Sequence, residues 1–238
     1  MPTGLQASID PPGPPMTYDA ILFDNDGVLV EPPDAERVYG GIRETFASFG
    51  VTDPPSAHVE ALLGATVDTV EAVCAAHDLD PRAFWYRRDR IVSRVQREAF
   101  RAGDKGLYAD VTAARDAPVP QGIVTNNQRE TIRFIVDHFD LGDAFQTVYG
   151  RDPTIEGLRR KKPSPYHLRR AIADLDAERP LFVGDSESDV LAAARMGIDS
   201  AFVRRPHRTD YDLSVPPTHE VADLEGVFAL VDGRAAGD

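Results

Sequence analysis

Ala20-Ile21-Leu22-Phe23 is an apolar run without polar alternation, and Asp24-Asn25-Asp26-Gly27 comes directly after it. A strand that is apolar on both faces must be covered on both, as in a parallel sheet between two helical layers. The pattern returns in the second half of the chain. Candidate strands at 121–125, 144–149, 180–184 and 200–203, with a short one at 219–222, alternate with candidate helices at 128–139, 165–173 and 187–196. Such alternation implies right-handed βαβ units, an α/β fold, and a ligand site beyond the carboxyl ends of the strands.

Between residues 34 and 101 the pattern is helical, with almost no strand signal. Asp34 is placed to cap a helix running to Ser48. Ser56 is placed to cap another ending near Gly64, a third covers 67–77, and a long one near Pro81 covers 84–100. The expected organisation is a Pro-rich disordered tail over 1–16, an α/β core formed by 17–33 and 102–238, and an all-helical insertion over 34–101.

Composition excludes several classes. There are 26 Lys+Arg against 39 Asp+Glu, a net charge of −13, which disfavours a nucleic-acid partner. No apolar stretch near the N-terminus is long enough to span a bilayer, and no Lys or Arg precedes Arg37. Neither a membrane role nor a signal peptide is expected, and the reading is a cytoplasmic protein. Cys74 is the single cysteine, so neither a disulfide framework nor a Cys-rich zinc site is available. Lysine occurs only at 105, 161 and 162, and Asp outnumbers Glu. Solubility in concentrated salt and an Arg-favouring GC-rich genome explain that bias equally well. Either way, a lysine at a motif position stands out.

The residues just past each strand carry the chemistry. Asp24 and Asp26, two apart on extended backbone, present their carboxylates on one side, and Gly27 lets the chain turn away. The alternative for this pair is a strand end capped by turn-forming Asp, common for any single Asp-x-Asp. Thr125 and Asn126, at the end of the second strand, suit an anion-holding corner or an ordinary helix cap. Lys162, stiffened by Pro163 and Pro165, suits a point charge for a phosphoryl group or a solvated basic run. Asp185 sits at another strand tip, with Asp189 one helical turn on, while Glu187 and Ser188 read as capping residues. Asp24, Asp26, Asp185 and Asp189 converging without His or Cys would favour a hard divalent cation, chiefly Mg²⁺.

In order and spacing, these segments resemble the four motifs of the haloacid dehalogenase superfamily of phosphohydrolases: Asp24-x-Asp26-Gly27-Val28-Leu29, Thr125, Lys162-Pro163-x-Pro165 and Gly184-Asp185-Ser186-x-x-Asp189. The resemblance covers about 18–232 and places the chain near the phosphoglycolate phosphatase and β-phosphoglucomutase-like branch. It implies a Rossmann-like core with a helical cap, and a small phosphorylated metabolite as substrate.

On the same ground, Asp24 would be the nucleophile and Asp26 the general acid and base. Mg²⁺ would be held by Asp24, the main-chain carbonyl of Asp26 and Asp185, with Asp189 bound directly or through water. Thr125, the Asn126 amide and Lys162 would hold the phosphoryl oxygens. A mutase using the same acids, and a non-catalytic binding protein on the same fold, are the alternatives.

The substrate and the oligomeric state are not legible. Arg37, Arg43, Gly64, Arg87, Arg88, Arg90 and Arg94 are candidates for specificity, with solvated helix faces the default for most of the arginines. Trp85 and Tyr86 are expected to pack the insertion, Cys74 and His77 to be packing rather than a metal pair, and Asn25 to point away from the acids. The run 204–208 is expected to be a solvated basic loop by default, with a substrate-facing rim as the alternative.

Overall fold

The computed structural model describes residues 18–233. The expected tail over 1–16 lies outside them. In chain order the elements are β1 (Ala20–Phe23), α1 (Ala35–Ser48), α2 (Ser56–Ala61), α3 (Val67–Ala75), α4 (Pro81–Ala102), β2 (Gln121–Gln128), α5 (Arg129–His138), β3 (Thr147–Arg151), α6 (Ile155–Arg159), α7 (Tyr166–Asp174), β4 (Pro180–Gly184), α8 (Glu187–Met196), β5 (Asp199–Val203), β6 (His219–Val221) and α9 (Leu224–Val231). Short 3₁₀ segments occupy Ala109–Asp116 and Pro206–Arg208.

Six parallel strands lie in the order β3-β2-β1-β4-β5-β6. β1 pairs with β2 on one side and β4 on the other, Phe23 standing opposite both Ile123 and Val183. The carboxyl ends of these three central strands therefore lie side by side, which is where the motif residues begin. Successive side chains go to opposite faces. Ile21, Phe23, Ile123, Leu181 and Val183 join the core formed with α5 and α9, while Leu22, Val124 and Phe182 join Leu168, Ala171, Ala192 and Ala193 of α7 and α8. This is the Rossmann-like sandwich that the alternation implies.

The helices α1–α4 lie between β1 and β2 in sequence and carry their own core. Val38, Ile42 and Phe46 of α1 pack with Val70, Val73 and Cys74 of α3 and with Phe84, Trp85 and Val92 of α4. Asp34 caps α1 by accepting from Arg37 N, and Asp80 caps α4 by accepting from Ala83 N, with Pro81 in the first turn. The long helix ends at Gly103, whose φ of 76° is left-handed. Among the described residues, no helix is long and apolar enough to cross a membrane.

Several expectations need correction. Ser56 is the first residue of α2 rather than its cap, and its side chain makes no capping bond. The strand expected at 144–149 is Thr147–Arg151, and Ala144 instead packs in the core beneath it. α6, α9 and the 3₁₀ turns are too short to show a period in the sequence. Trp85 is buried as expected, but Tyr86 is 48% exposed, with Arg90 over its ring. Cys74 is buried, and His77 pairs with His58 rather than with it.

One buried histidine gives a prediction about pH. His167 of α7 is 6% exposed, and neither ring nitrogen has a hydrogen-bond partner among the described residues. Burial holds it down from 6.5 to about 4, with Arg170, Arg129 and Arg160 adding to the effect against Asp152. The unfolded chain takes up this proton near 6.5, the native one only near 4. The contribution of His167 is therefore present above pH 6.5 and lost as pH falls between those values. Urea unfolding should show a loss on the order of 2–3 kcal/mol over that window that is missing from His167→Gln. Equal losses in both proteins would contradict this assignment.

Candidate active site

Asp24 follows β1 directly, and Asp185 follows β4, the strand paired with it. Asp189 is in the first turn of α8, where Ser186 and Asp189 form a reciprocal capping box. Asp189 Oδ2 accepts from Ser186 N and Oγ at 3.1 and 2.6 Å. The capping residues are thus Ser186 and Asp189, not Glu187 and Ser188. All three acids are buried, and one carboxylate oxygen from each lies within 4.8 Å of the other two.

Lys162 projects into this group, with Nζ 2.7 Å from both Asp24 Oδ1 and Asp189 Oδ1 and donating to Val124 O at 3.0 Å. Burial pulls its pKa down, but Asp189 and Asp24 outweigh burial and hold it above the ordinary value. Burial pushes the Asp24 carboxyl up. Lys162 opposes that shift, and Asp189 and Asp185 add to it. On the far side, Asp185 Oδ2 meets His207 Nε2 at 2.8 Å and Arg208 Nε at 3.0 Å. The run 204–208 is therefore only partly solvated: Pro206 and His207 are exposed, but His207 and Arg208 hold Asp185 and Arg205 is buried in a two-pronged bond to Asp110.

Two glycines make room for these acids. A Cβ on Gly184 would overlap the Asp189 carboxylate, and one on Gly27 (φ 81°) would overlap the Asp185 carboxylate and the His207 ring. Three buried carboxylates face two full cations, Lys162 and Arg208. That leaves an excess of negative charge with only oxygen donors, and the chemistry of the donor set fits a hard divalent cation such as Mg²⁺.

Asp26 stands apart from these three, so the four acids do not meet at one point. Its Oδ1 accepts from Lys105 Nζ at 2.5 Å and its Oδ2 from Asn127 Nδ2 at 2.7 Å. Asn127 in turn exchanges bonds with Gln96 of α4, Nδ2 to Oε1 at 3.0 Å and Oδ1 from Nε2 at 3.1 Å. The helical insertion thus reaches Asp26 through one amide pair.

Thr125 and Asn126 lie within β2, in the stretch where its pairing with β3 slips between Val124 and Gln128. Gln128 occupies the position before α5, so neither Thr125 nor Asn126 is a helix cap. Thr125 is buried, and its hydroxyl accepts from Asn127 N at 3.1 Å. The Asn126 side chain is spent on Lys162: Nδ2 donates to Lys162 O at 3.1 Å, and Oδ1 accepts from Lys162 N at 2.6 Å. Asn25 is fully buried, and its carbonyl accepts from Leu29 N and Val30 N to hold the turn.

Sequence reading missed Lys105, Asn127, Gln96 and Arg151 at the site, and it singled out His207 and Arg208 only as part of the basic run 204–208, with a solvated loop as the default. Lys105 had a signal too, as one of only three lysines.

The sequence profile described as haloacid dehalogenase-like hydrolase matches residues 21–203. The chain belongs to that family of hydrolases. It is 28% identical over 232 residues to a 5'-nucleotidase of Pseudomonas aeruginosa, covering 92% of this chain and 98% of the relative. It is 27% identical over 221 residues to a phosphoglycolate phosphatase of Cereibacter sphaeroides, covering 89% and 94%. Among solved structures, CbbY from Rhodobacter sphaeroides in complex with phosphate shares the fold with a TM-score of 0.68 at 22% identity, covering 90% of this chain and 99% of that one.

Proposed function

We propose that the protein is a Mg²⁺-dependent phosphatase that hydrolyses a small phosphomonoester through an aspartyl-phosphate on Asp24. The observation that carries this reading is the buried set Asp24, Asp185 and Asp189 around Lys162 at the carboxyl ends of paired strands. Family membership and the relatives named as phosphatase and nucleotidase support it.

In this reading Asp24 attacks phosphorus, and the ester bond breaks as the new bond forms. Asp26 gives the leaving oxygen its proton, then takes one from the water that hydrolyses the intermediate. Lys105 and Asn127 hold Asp26 in place, and Lys162 and the Thr125 hydroxyl hold phosphoryl oxygens. Asn126 acts by fixing the Lys162 main chain, leaving only its own main-chain N–H for the anion. Asp24, Asp185, Asp189 and the Asp26 carbonyl would hold Mg²⁺, which when bound offsets repulsion between the nucleophile and the phosphoryl dianion.

The test is phosphate release from a panel of phosphomonoesters by chelator-treated protein, with and without Mg²⁺, at low and high KCl. Release that needs the metal is expected. No release from any ester under any condition would overturn the reading and turn attention to phosphoryl transfer between sugar phosphates or to a binding role.

A further inference from the structure

A cavity of about 290 Å³ opens between the helical insertion and the carboxyl edge of the sheet, and Asp26 lines it beside Asn126 and Asn127. The leaving part of an ester cleaved at Asp24 would lie here. The space is at the low end for small-molecule sites, which run from about 300 to 1,000 Å³. An apolar cavity of about 150 Å³ holds a benzene ring, so there is room here for a ring or a chain of about six carbons.

The polar side chains of the wall are already engaged. Asn126 is bound to the main chain of Lys162, and Asn127 to Asp26 and Gln96. Gln96 donates to Asn127 and Gln128, and Gln128 Oε1 accepts from Thr131 as well. Arg151 donates to Asp89 and Asn126 O, and Arg88 to Asp89 and the carbonyls of Leu62 and Leu63. Both arginines are buried, with the Trp85 ring centre 4.8 Å from each guanidinium. Turning any of these groups toward a ligand would leave a buried protein partner unpaired.

What the wall offers besides Asp26 is apolar. Val38 and Val92 are its buried part, and Pro33, Ala35 and Leu63 are its exposed part. Leu63 is 40% exposed, and among the described residues Tyr86 is the only other large apolar side chain left so open. The backbone that carries Leu63 is held firmly. Arg88 takes the carbonyls of Leu62 and Leu63 at 2.8 and 3.4 Å, and Lys161 takes those of Gly64 and Ala65 at 2.8 and 2.5 Å. Two cations thus fix an open leucine on the same cavity as Asp26. Exposed apolar side chains gathered at one place mark a binding surface.

We infer that Leu63, with Pro33, Ala35, Val38 and Val92, forms an apolar subsite for the leaving part of the substrate, so that the preferred phosphomonoester carries an uncharged hydrocarbon group of about four to six carbons rather than an acid or a sugar. The inference rests on the phosphatase reading and sharpens it. An anionic or hydroxylated tail would give up water for a wall whose donors and acceptors are taken, and its desolvation would go uncompensated. A hydrocarbon tail gains free energy on the same transfer.

The test is kcat/KM along ethyl, n-butyl and n-hexyl phosphate. Their leaving alcohols are nearly equal in acidity, so differences report contacts of the tail rather than the chemistry of the broken bond. Wild-type protein should gain about threefold for each methylene buried, on the order of tenfold from ethyl to butyl. Butyl phosphate should also exceed 2-phosphoglycolate and ribose 5-phosphate. Leu63→Ser should cut the butyl-to-ethyl ratio about threefold, and Leu63→Met should keep most of it. Leu63 is exposed, so both variants should melt close to wild type, and should Leu63→Ser fail to fold, the wild-type series still decides. A flat series in wild-type protein, a preference for the acid or the sugar ester, or an unchanged ratio in folded Leu63→Ser overturns the subsite while leaving the phosphatase reading intact. Absence of turnover on every ester brings down the phosphatase reading, and the subsite with it.

Discussion

Asp24→Asn should abolish phosphate release, with a loss on the order of 10⁴-fold or more, as removal of a covalent nucleophile does. Asn keeps the shape of the side chain but cannot attack phosphorus. The substitution should not unfold the protein. Burial and the neighbouring Asp189 and Asp185 already press against the Asp24 charge, so a neutral amide relieves repulsion while Lys162 keeps Asp189 as its partner. In chelator, the melting temperature should therefore equal or exceed that of wild type. The rise in melting temperature on adding Mg²⁺ should shrink in the variant, because one oxygen donor is gone. A variant that releases phosphate at the wild-type rate would remove Asp24 from the chemistry.

Lys162→Met should be the most destabilising change at the site. It takes away the cation shared by Asp24 and Asp189, whose side chains are 12% and 2% exposed. Removing one partner from a buried ion pair costs about 3–5 kcal/mol, because the remaining charges stay buried without compensation. For a chain of this size, that corresponds to a fall of roughly 10 °C in melting temperature in chelator. Mg²⁺ should restore part of the loss, since it supplies positive charge to the same carboxylates. Turnover at saturating Mg²⁺ should still fall by on the order of 10²- to 10³-fold, the cost of losing one preorganised donor to the developing charge. A melting temperature in chelator indistinguishable from wild type would contradict the ion-pair account.

The residues at strand tips were legible because a parallel sheet gathers the carboxyl ends of its central strands. An apolar run followed by Asp-x-Asp, and another followed by Gly-Asp, point to the same edge. The partners that fix those residues were not legible, because they come from elsewhere in the chain. Lys105 reaches Asp26 from just past the insertion, 79 positions away, and Arg208 and His207 reach Asp185 from beyond β5. The arginines show the limit most clearly. Arg88 and Arg94 both read as polar positions of one helix. The first is buried against Asp89 and Trp85, while the second makes surface ion pairs with Glu44 and Glu98. Only the way α4 packs against its neighbouring elements separates them. Element ends slipped for a related reason: Thr125 and Asn126 read as a helix cap, but the strand continues past them in a slipped register.

Trapping the intermediate tests the central claim most directly. Wild-type protein turning over a phosphomonoester with Mg²⁺ is quenched with hydroxylamine, which cleaves an acyl phosphate and leaves a hydroxamate on the carboxylate that carried it. Peptide mass spectrometry should place that mark on Asp24, only when substrate and metal are both present. A mark on another acid, or phosphate release with no carboxylate marked at all, would contradict covalent catalysis by Asp24.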